Sequence, residues 1–140
     1  MPTDFRDASS RHWEDAEHLL ADTRLATVDH MVGVSAECAM KAVMLSLGMA
    51  VRPGGTPVET QHTVHINDLW DEFITFANAR GGSRYAAPLE GQTNPFNNWN
   101  ISQRYNNRMD FRNEVVQNHR RATQQVLLVL QTAILDGSVI

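Results

Sequence analysis

The segment Met31–Leu47 restricts the fold more than any other part of the chain. It is largely apolar, its only charged residues are Glu37 and Lys41, and Gly48 follows it as a helix stop. This pattern predicts a helix over residues 27–48. Because a helix that is hydrophobic on nearly all sides is packed on several of them, we expect it to lie at the centre of the protein.

Helical periodicity recurs on both sides of this segment, and no stretch shows the alternation of a strand. We predict further helices over residues 4–23, 65–80, 83–89 and 108–136. The chain is therefore expected to be all-α, a four- to five-helix up-and-down bundle. We predict one domain over residues 1–140, with a loop at 49–62 and an irregular, Asn-rich segment at 90–107.

Two aromatic residues, Phe96 and Trp99, stand out in the irregular segment. One interpretation is a loop that packs both rings onto the bundle. The alternative is a base-stacking role for Trp99 or for Tyr105.

Composition favours a cytoplasmic protein without a membrane span, metal or cofactor. The N-terminus has no basic start followed by an apolar run, and no apolar stretch is long enough to span a bilayer. Cys38 is the only cysteine, which suits a reducing compartment and leaves no cysteine-based zinc site. The histidines show no clear metal-ligand spacing.

Positive charge is concentrated near the C-terminus of a chain whose net charge is −4. Eleven of the twelve cationic residues are arginines, and five of these lie between positions 104 and 121. Arg104, Arg108 and Arg112 are four residues apart and would form a ladder on one helix face, if the last helix starts early enough. The alternative is a solvated face.

Arg112 and His119 fall on the apolar stripe of the last predicted helix. Seven residues at about 100° each return to within about 20° of the start, so both side chains should point the same way. A half-buried guanidinium must meet an anion, either an internal carboxylate, with Glu37 or Asp29 as candidates, or a ligand phosphate. With a histidine to move a proton, the pair would be a minimal set for cleaving RNA through its own 2′-hydroxyl. A structural ion pair beside a packed histidine is the alternative.

Glu37 and Lys41 are four residues apart on one face of the central helix. Such a pair on an exposed helix contributes only about 0.2–0.5 kcal/mol, and a solvated strip is one interpretation. The other is that both charges face a partly buried site shared with another helix.

Several motifs together resemble the HEPN family, the nucleotide-binding domain of higher eukaryotes and prokaryotes. They are His12-Trp13-x-x-Ala16-x-x-Leu19-Leu20, Asp29-His30, Ala36-Glu37-Cys38-Ala39-Met40-Lys41-Ala42, His65-x-x-x-Leu69-Trp70 and the stretch Trp99–Tyr105. The resemblance covers about residues 8–136. It implies a four- or five-helix bundle that forms a homodimer, and in many members a metal-independent ribonuclease of toxin–antitoxin or defence systems.

The family's Arg-to-His motif maps onto Arg112, Asn113 and His119, and the resemblance implies that Glu37 supports them. Here Arg121 stands two residues after the histidine, where toxins paired with a minimal nucleotidyltransferase have a tyrosine. Other family members have lost nuclease activity and serve as binding or partner domains.

Two hypotheses follow. The first is a homodimeric, metal-independent endoribonuclease with catalytic Arg112 and His119. Lys41, Asn113 and the arginine ladder would orient the RNA. The second is a non-catalytic module that binds a nucleotide or a protein partner, such as an immunity or antitoxin-type protein, with His119 packed in the core.

Overall fold

A computed structural model describes residues 1–140 and contains five α-helices and no strand, which confirms the all-α prediction. The α-helices are α1 (Phe5–Ala21), α2 (Leu25–Ser46), α3 (Ile66–Ala79), α4 (Ser83–Ala86) and α5 (Asn113–Leu135). Three 3₁₀ helices lie between them, at Thr60–His62, Ile101–Tyr105 and Arg108–Asp110. No helix combines the length and apolar character needed to cross a membrane.

Helix α2 lies at the centre of the bundle, as its nearly all-round apolar sequence predicts. It has thirteen buried residues, and α1, α3 and α5 all pack against it. The short turn after Ala21 makes α1 and α2 antiparallel neighbours. The Ser35 hydroxyl of α2 donates to the Ser9 carbonyl of α1 at 2.8 Å, and Thr123 of α5 donates to the Val32 carbonyl of α2 at 2.8 Å.

The irregular segment packs its two aromatic rings into the core. Phe96 is 0% exposed and Trp99 is 1% exposed, and both belong to the main hydrophobic cluster. Burial of such a ring contributes about 1.5–3 kcal/mol to the free energy of unfolding, so these two side chains hold the segment on the bundle. Tyr105, in contrast, is 77% exposed.

The last helix begins later than the sequence predicts. Helix α5 starts at Asn113, whereas its periodicity predicted a start near 108. The Asn100 and Asn107 side chains accept hydrogen bonds from the backbone two residues on, at 2.9 Å each. These local bonds stabilise short 3₁₀ turns in place of a continuous α-helix. The condition for the arginine ladder is therefore not met, because Arg104, Arg108 and Arg112 do not share one helix, and all three side chains are exposed.

Gly33 of α2 lies directly beneath the indole of Trp99. A Cβ atom added at this glycine would lie 2.1 Å from Trp99 Cε2, far inside van der Waals contact. The Trp99 indole N–H donates to the Asp29 carbonyl at 2.7 Å, which fixes the ring in this position. The absence of a side chain at position 33 is thus what allows the irregular segment to pack so closely on α2.

We expect Gly33→Ala to lower the free energy of unfolding by about 1–3 kcal/mol, because the clash with Trp99 outweighs the gain of up to about 1 kcal/mol in helix propensity. Urea unfolding followed by circular dichroism measures the change. Gly54→Ala is the control, since a Cβ there has no neighbour within 4 Å. A Gly33→Ala protein as stable as wild type would contradict the close packing.

Candidate functional site

His119 lies in the core, with both ring nitrogens bonded to other residues. It is 0% exposed, its Nδ1 lies 2.7 Å from Asp29 Oδ1, and its Nε2 lies 2.6 Å from Asn98 Oδ1. The Phe96 ring stacks on the imidazole at 5.4 Å between centroids. The Asp29 carboxylate can only accept, so His119 donates to it through Nδ1.

Asp29 is the centre of this buried network. Its carboxylate accepts from His119 and from Gln103 Nε2, the latter at 2.6 Å, and its carbonyl accepts from the indole of Trp99. A buried carboxylate is stable only when such donors replace water. One residue of α2 therefore binds α5 and the irregular segment together.

Arg112 does not join His119 in this network. It is the N-cap residue of α5, with extended backbone angles, and its exposed guanidinium forms no ion pair. Asn113, the first residue of the helix, is exposed as well. The expectation that Arg112 and His119 point the same way assumed that the helix includes both residues, and it is wrong for Arg112.

Glu37 and Lys41 form the pair that their spacing predicts, and the pair is largely buried. Glu37 Oε2 lies 3.0 Å from Lys41 Nζ, while Glu37 Oε1 lies 2.9 Å from Nδ1 of His65, the N-cap residue of α3. The side chains of Glu37 and Lys41 are only 12% and 5% exposed. Glu37 therefore serves two internal partners, neither of which is Arg112.

Three histidines that the sequence did not single out lie around this pair. His12 of α1 and His30 of α2 each have a buried Nδ1 atom without a hydrogen-bond partner. Burial, followed by the charge of Arg11, lowers the pKa of His12. Burial lowers the pKa of His30 as well, and the charge of Arg104 adds to the effect. We call His12, His30, Glu37, Lys41, His65 and Arg104 the histidine cluster.

The residues of the histidine cluster are scattered along the sequence, although each of them lies in a motif that carries the HEPN resemblance. Their spacing links only three of them. His30, Glu37 and Lys41 follow one another at steps of seven and four, which places them on one face of a helix. No group of three or more His, Cys, Asp or Glu side chains is arranged to hold a metal ion.

Cys38 lies next to the cluster but is chemically inert. It is 8% exposed, and burial together with the neighbouring Glu37 carboxylate raises the pKa of its thiol to about 12. Since the thiolate is the nucleophile, this cysteine is not a candidate for catalysis.

An open groove of about 810 Å³ lies between the α1–α2 turn and residues 106–111. Arg24 lines one wall, and Arg108 and Met109 line the other. Arg108 and the nearby Arg104 are exposed and form no ion pair with a carboxylate. The Arg104 guanidinium lies 4.8 Å from the centroid of the exposed Tyr105 ring.

We expect Asp29→Ala to lower the free energy of unfolding by about 2–6 kcal/mol, because it leaves two buried donors, the His119 ring and the Gln103 amide, without their acceptor at about 1–3 kcal/mol each. Asp71→Ala, at an exposed position of α3, is the control and should change the stability by no more than about 0.5 kcal/mol. Urea unfolding compares the two variants. Equal stabilities would show that the buried network does not hold the bundle together.

Comparison of the chain with known protein families, with curated proteins and with solved structures finds no match. The assignment to the HEPN family therefore stays a prediction that rests on the motifs of the sequence.

Proposed function

We propose that this protein is a HEPN-like module that binds RNA or a nucleotide as a homodimer, without catalysis by Arg112 and His119. The observation that carries the proposal is the exposed segment 104–112. It presents three arginines without carboxylate partners, and one of them lies against an exposed tyrosine. We call Arg104, Arg108 and Arg112, together with Tyr105, the arginine strip.

The chemistry of the arginine strip suits a single-stranded nucleic acid. Guanidinium groups form paired hydrogen bonds with phosphate oxygens, and they remain charged at any physiological pH. The face of Tyr105 offers a platform on which a base can stack. Because the protein as a whole has a net charge of −4, this local cluster of cations gives a polyanion one favoured place to bind.

The groove beside the arginine strip gives the proposed ligand a concave surface. Its volume of about 810 Å³ lies within the usual range for small-molecule sites. The opposite wall carries one further cation, Arg24, and one carboxylate, Asp22. A mononucleotide or one or two nucleotides of a longer strand would fit between the two walls.

The surroundings of His119 favour binding over cleavage at the predicted motif. A general acid or base must come within hydrogen-bond reach of the substrate. Both nitrogens of His119 are already bonded, to Asp29 and Asn98, and the ring is fully buried. Arg112 lies outside this network, so the two residues do not present a shared surface to an RNA strand.

We expect the triple variant Arg104→Ala/Arg108→Ala/Arg112→Ala to lose at least about tenfold in affinity for a labelled single-stranded RNA. Three lost phosphate contacts should also reduce the slope of log K against log salt by about 2. Fluorescence anisotropy at salt concentrations between 50 and 200 mM measures both effects, because an affinity that depends on phosphate contacts falls steeply over this range.

The control is Arg6→Ala/Arg52→Ala/Arg84→Ala, which removes the same charge from exposed positions elsewhere. Equal losses in the two triple variants would contradict binding at the arginine strip. Cleavage of RNA in EDTA that disappears in both Arg112→Ala and His119→Ala, with both variants folded by circular dichroism, would restore the endoribonuclease hypothesis. Light scattering of the purified protein tests the homodimer.

A further inference from the structure

The histidine cluster is built on one face of α2. His30, Glu37 and Lys41 lie at steps of seven and four, so their side chains leave the helix in nearly the same direction. The Glu37 carboxylate is bonded on one side to Lys41 and on the other to His65. Its negative charge is therefore balanced by these internal partners, and His65 donates to it through Nδ1.

Helix α1 brings His12 to the same face. The bond from Ser35 to the Ser9 carbonyl fixes the antiparallel register of α1 and α2. Three residues further along α1, His12 is therefore level with Val32 of α2, one turn or less from His30. The register also explains why the Phe5 ring lies beside Lys41, with 6.0 Å between its centroid and Nζ.

The irregular segment supplies Arg104. Gln103 is bonded to the Asp29 carboxylate, and Trp99 stacks in parallel on His30 with 6.3 Å between ring centroids. The 3₁₀ helix that carries Arg104 is thus fixed against the N-terminal part of α2, beside His30.

The groups left without partners in this cluster can all donate hydrogen bonds to an anion. The Nδ1 atoms of His12 and His30 are buried and unpaired, which is costly unless a ligand or water satisfies them. The Arg104 guanidinium has no carboxylate partner, and the Asp29 carboxylate beside it is already bonded to His119 and Gln103. His65 is 44% exposed, so the cluster is open to solvent on that side.

The charged side chains around the cluster also favour an anion. Besides burial, Arg104, His12 and His65 lower the pKa of His30, and Asp29 opposes them. At His12, burial and Arg11 lower the pKa, while Asp15 and Glu37 raise it. A bound anion would favour the protonated forms of both histidines, which burial and the neighbouring cations disfavour.

We propose that His12, His30, His65 and Arg104 form a binding site for a phosphate monoester. A phosphate presents three terminal oxygens, and the Nδ1–H groups of His12 and His30 and the Arg104 guanidinium can donate to them, whereas a carboxylate presents only two. His65, whose Nδ1 donates to Glu37, adds a further donor through Nε2 when its ring is protonated. The site shares Arg104 with the arginine strip, but it is separate from the groove lined by Arg108. It stands without the RNA-binding proposal, because inorganic phosphate alone can test it.

The test is an NMR titration of the histidine ring signals with inorganic phosphate at constant pH 7 and constant ionic strength. Signals of His12, His30 and His65 should shift and reach saturation, while that of the exposed His18 of α1 stays in place. Absence of saturable shifts, or equal shifts of His18, would overturn the proposal.

Two variants at accessible positions, Arg104→Gln and His65→Gln, should each weaken phosphate binding at least about tenfold, the loss of one charge-assisted contact. Arg52→Gln, an exposed arginine remote in the sequence, is the matched control and should bind as wild type does. Equal binding by all three variants would overturn the assignment of these residues.

Adenosine monophosphate and adenosine distinguish the source of the phosphoryl group. Tighter binding of the monophosphate than of inorganic phosphate would identify a nucleotide as the ligand, and equal binding would identify free phosphate. Adenosine that binds as well as its monophosphate would contradict a phosphoryl site. Failure of these titrations would leave RNA binding by Arg108 and Arg112 unaffected, so the two proposals can fail separately.

Discussion

The buried carboxylate of Asp29 is the group on which the packing of α5 and of the irregular segment depends. It is 2% exposed, and its desolvation is tolerable only because donors replace the water it has lost. Those donors come from distant parts of the chain, His119 of α5 and Gln103 of the irregular segment. Both carboxylate oxygens of Asp29 need a donor, and this requirement determines how α5 and the irregular segment pack against α2.

Asp29 and its neighbour His30 divide the surface of α2 between two environments. Successive residues of a helix point about 100° apart, so the carboxylate faces the buried network while the imidazole faces the histidine cluster. Trp99 contacts both, through its indole N–H to the Asp29 carbonyl and through its ring face to His30. The Trp99 side chain consequently borders both the buried network around Asp29 and the candidate phosphate site.

Periodicity was sufficient to predict the helices and the central position of α2, because both depend on local pattern and hydrophobicity. For Phe96 and Trp99 the sequence left packing and base stacking open, and the structure buries both rings. The start of α5 was predicted wrongly because two asparagine side chains form local bonds that an apolar stripe does not reveal. The Glu37–Lys41 pair was predictable from its spacing, which is a property of one helix.

The candidate sites were harder to predict, because their residues meet only in three dimensions. His65 reaches Glu37 across 28 positions, and His119 reaches Asp29 across 90. The sequence suggested a carboxylate partner for Arg112, with Asp29 as one candidate. In the structure Asp29 pairs with the histidine of that motif, and the arginine remains in solvent.

The buried network around Asp29 also affects how the protein unfolds. Residues 94–105 contain one short 3₁₀ helix and few backbone bonds of their own, so by themselves they would open readily to solvent. Their side chains are bonded to Asp29 and His119, which lie in the two longest helices. The segment therefore cannot detach without breaking these buried hydrogen bonds. Although it is irregular in shape, it is bonded into the same core as α2 and α5.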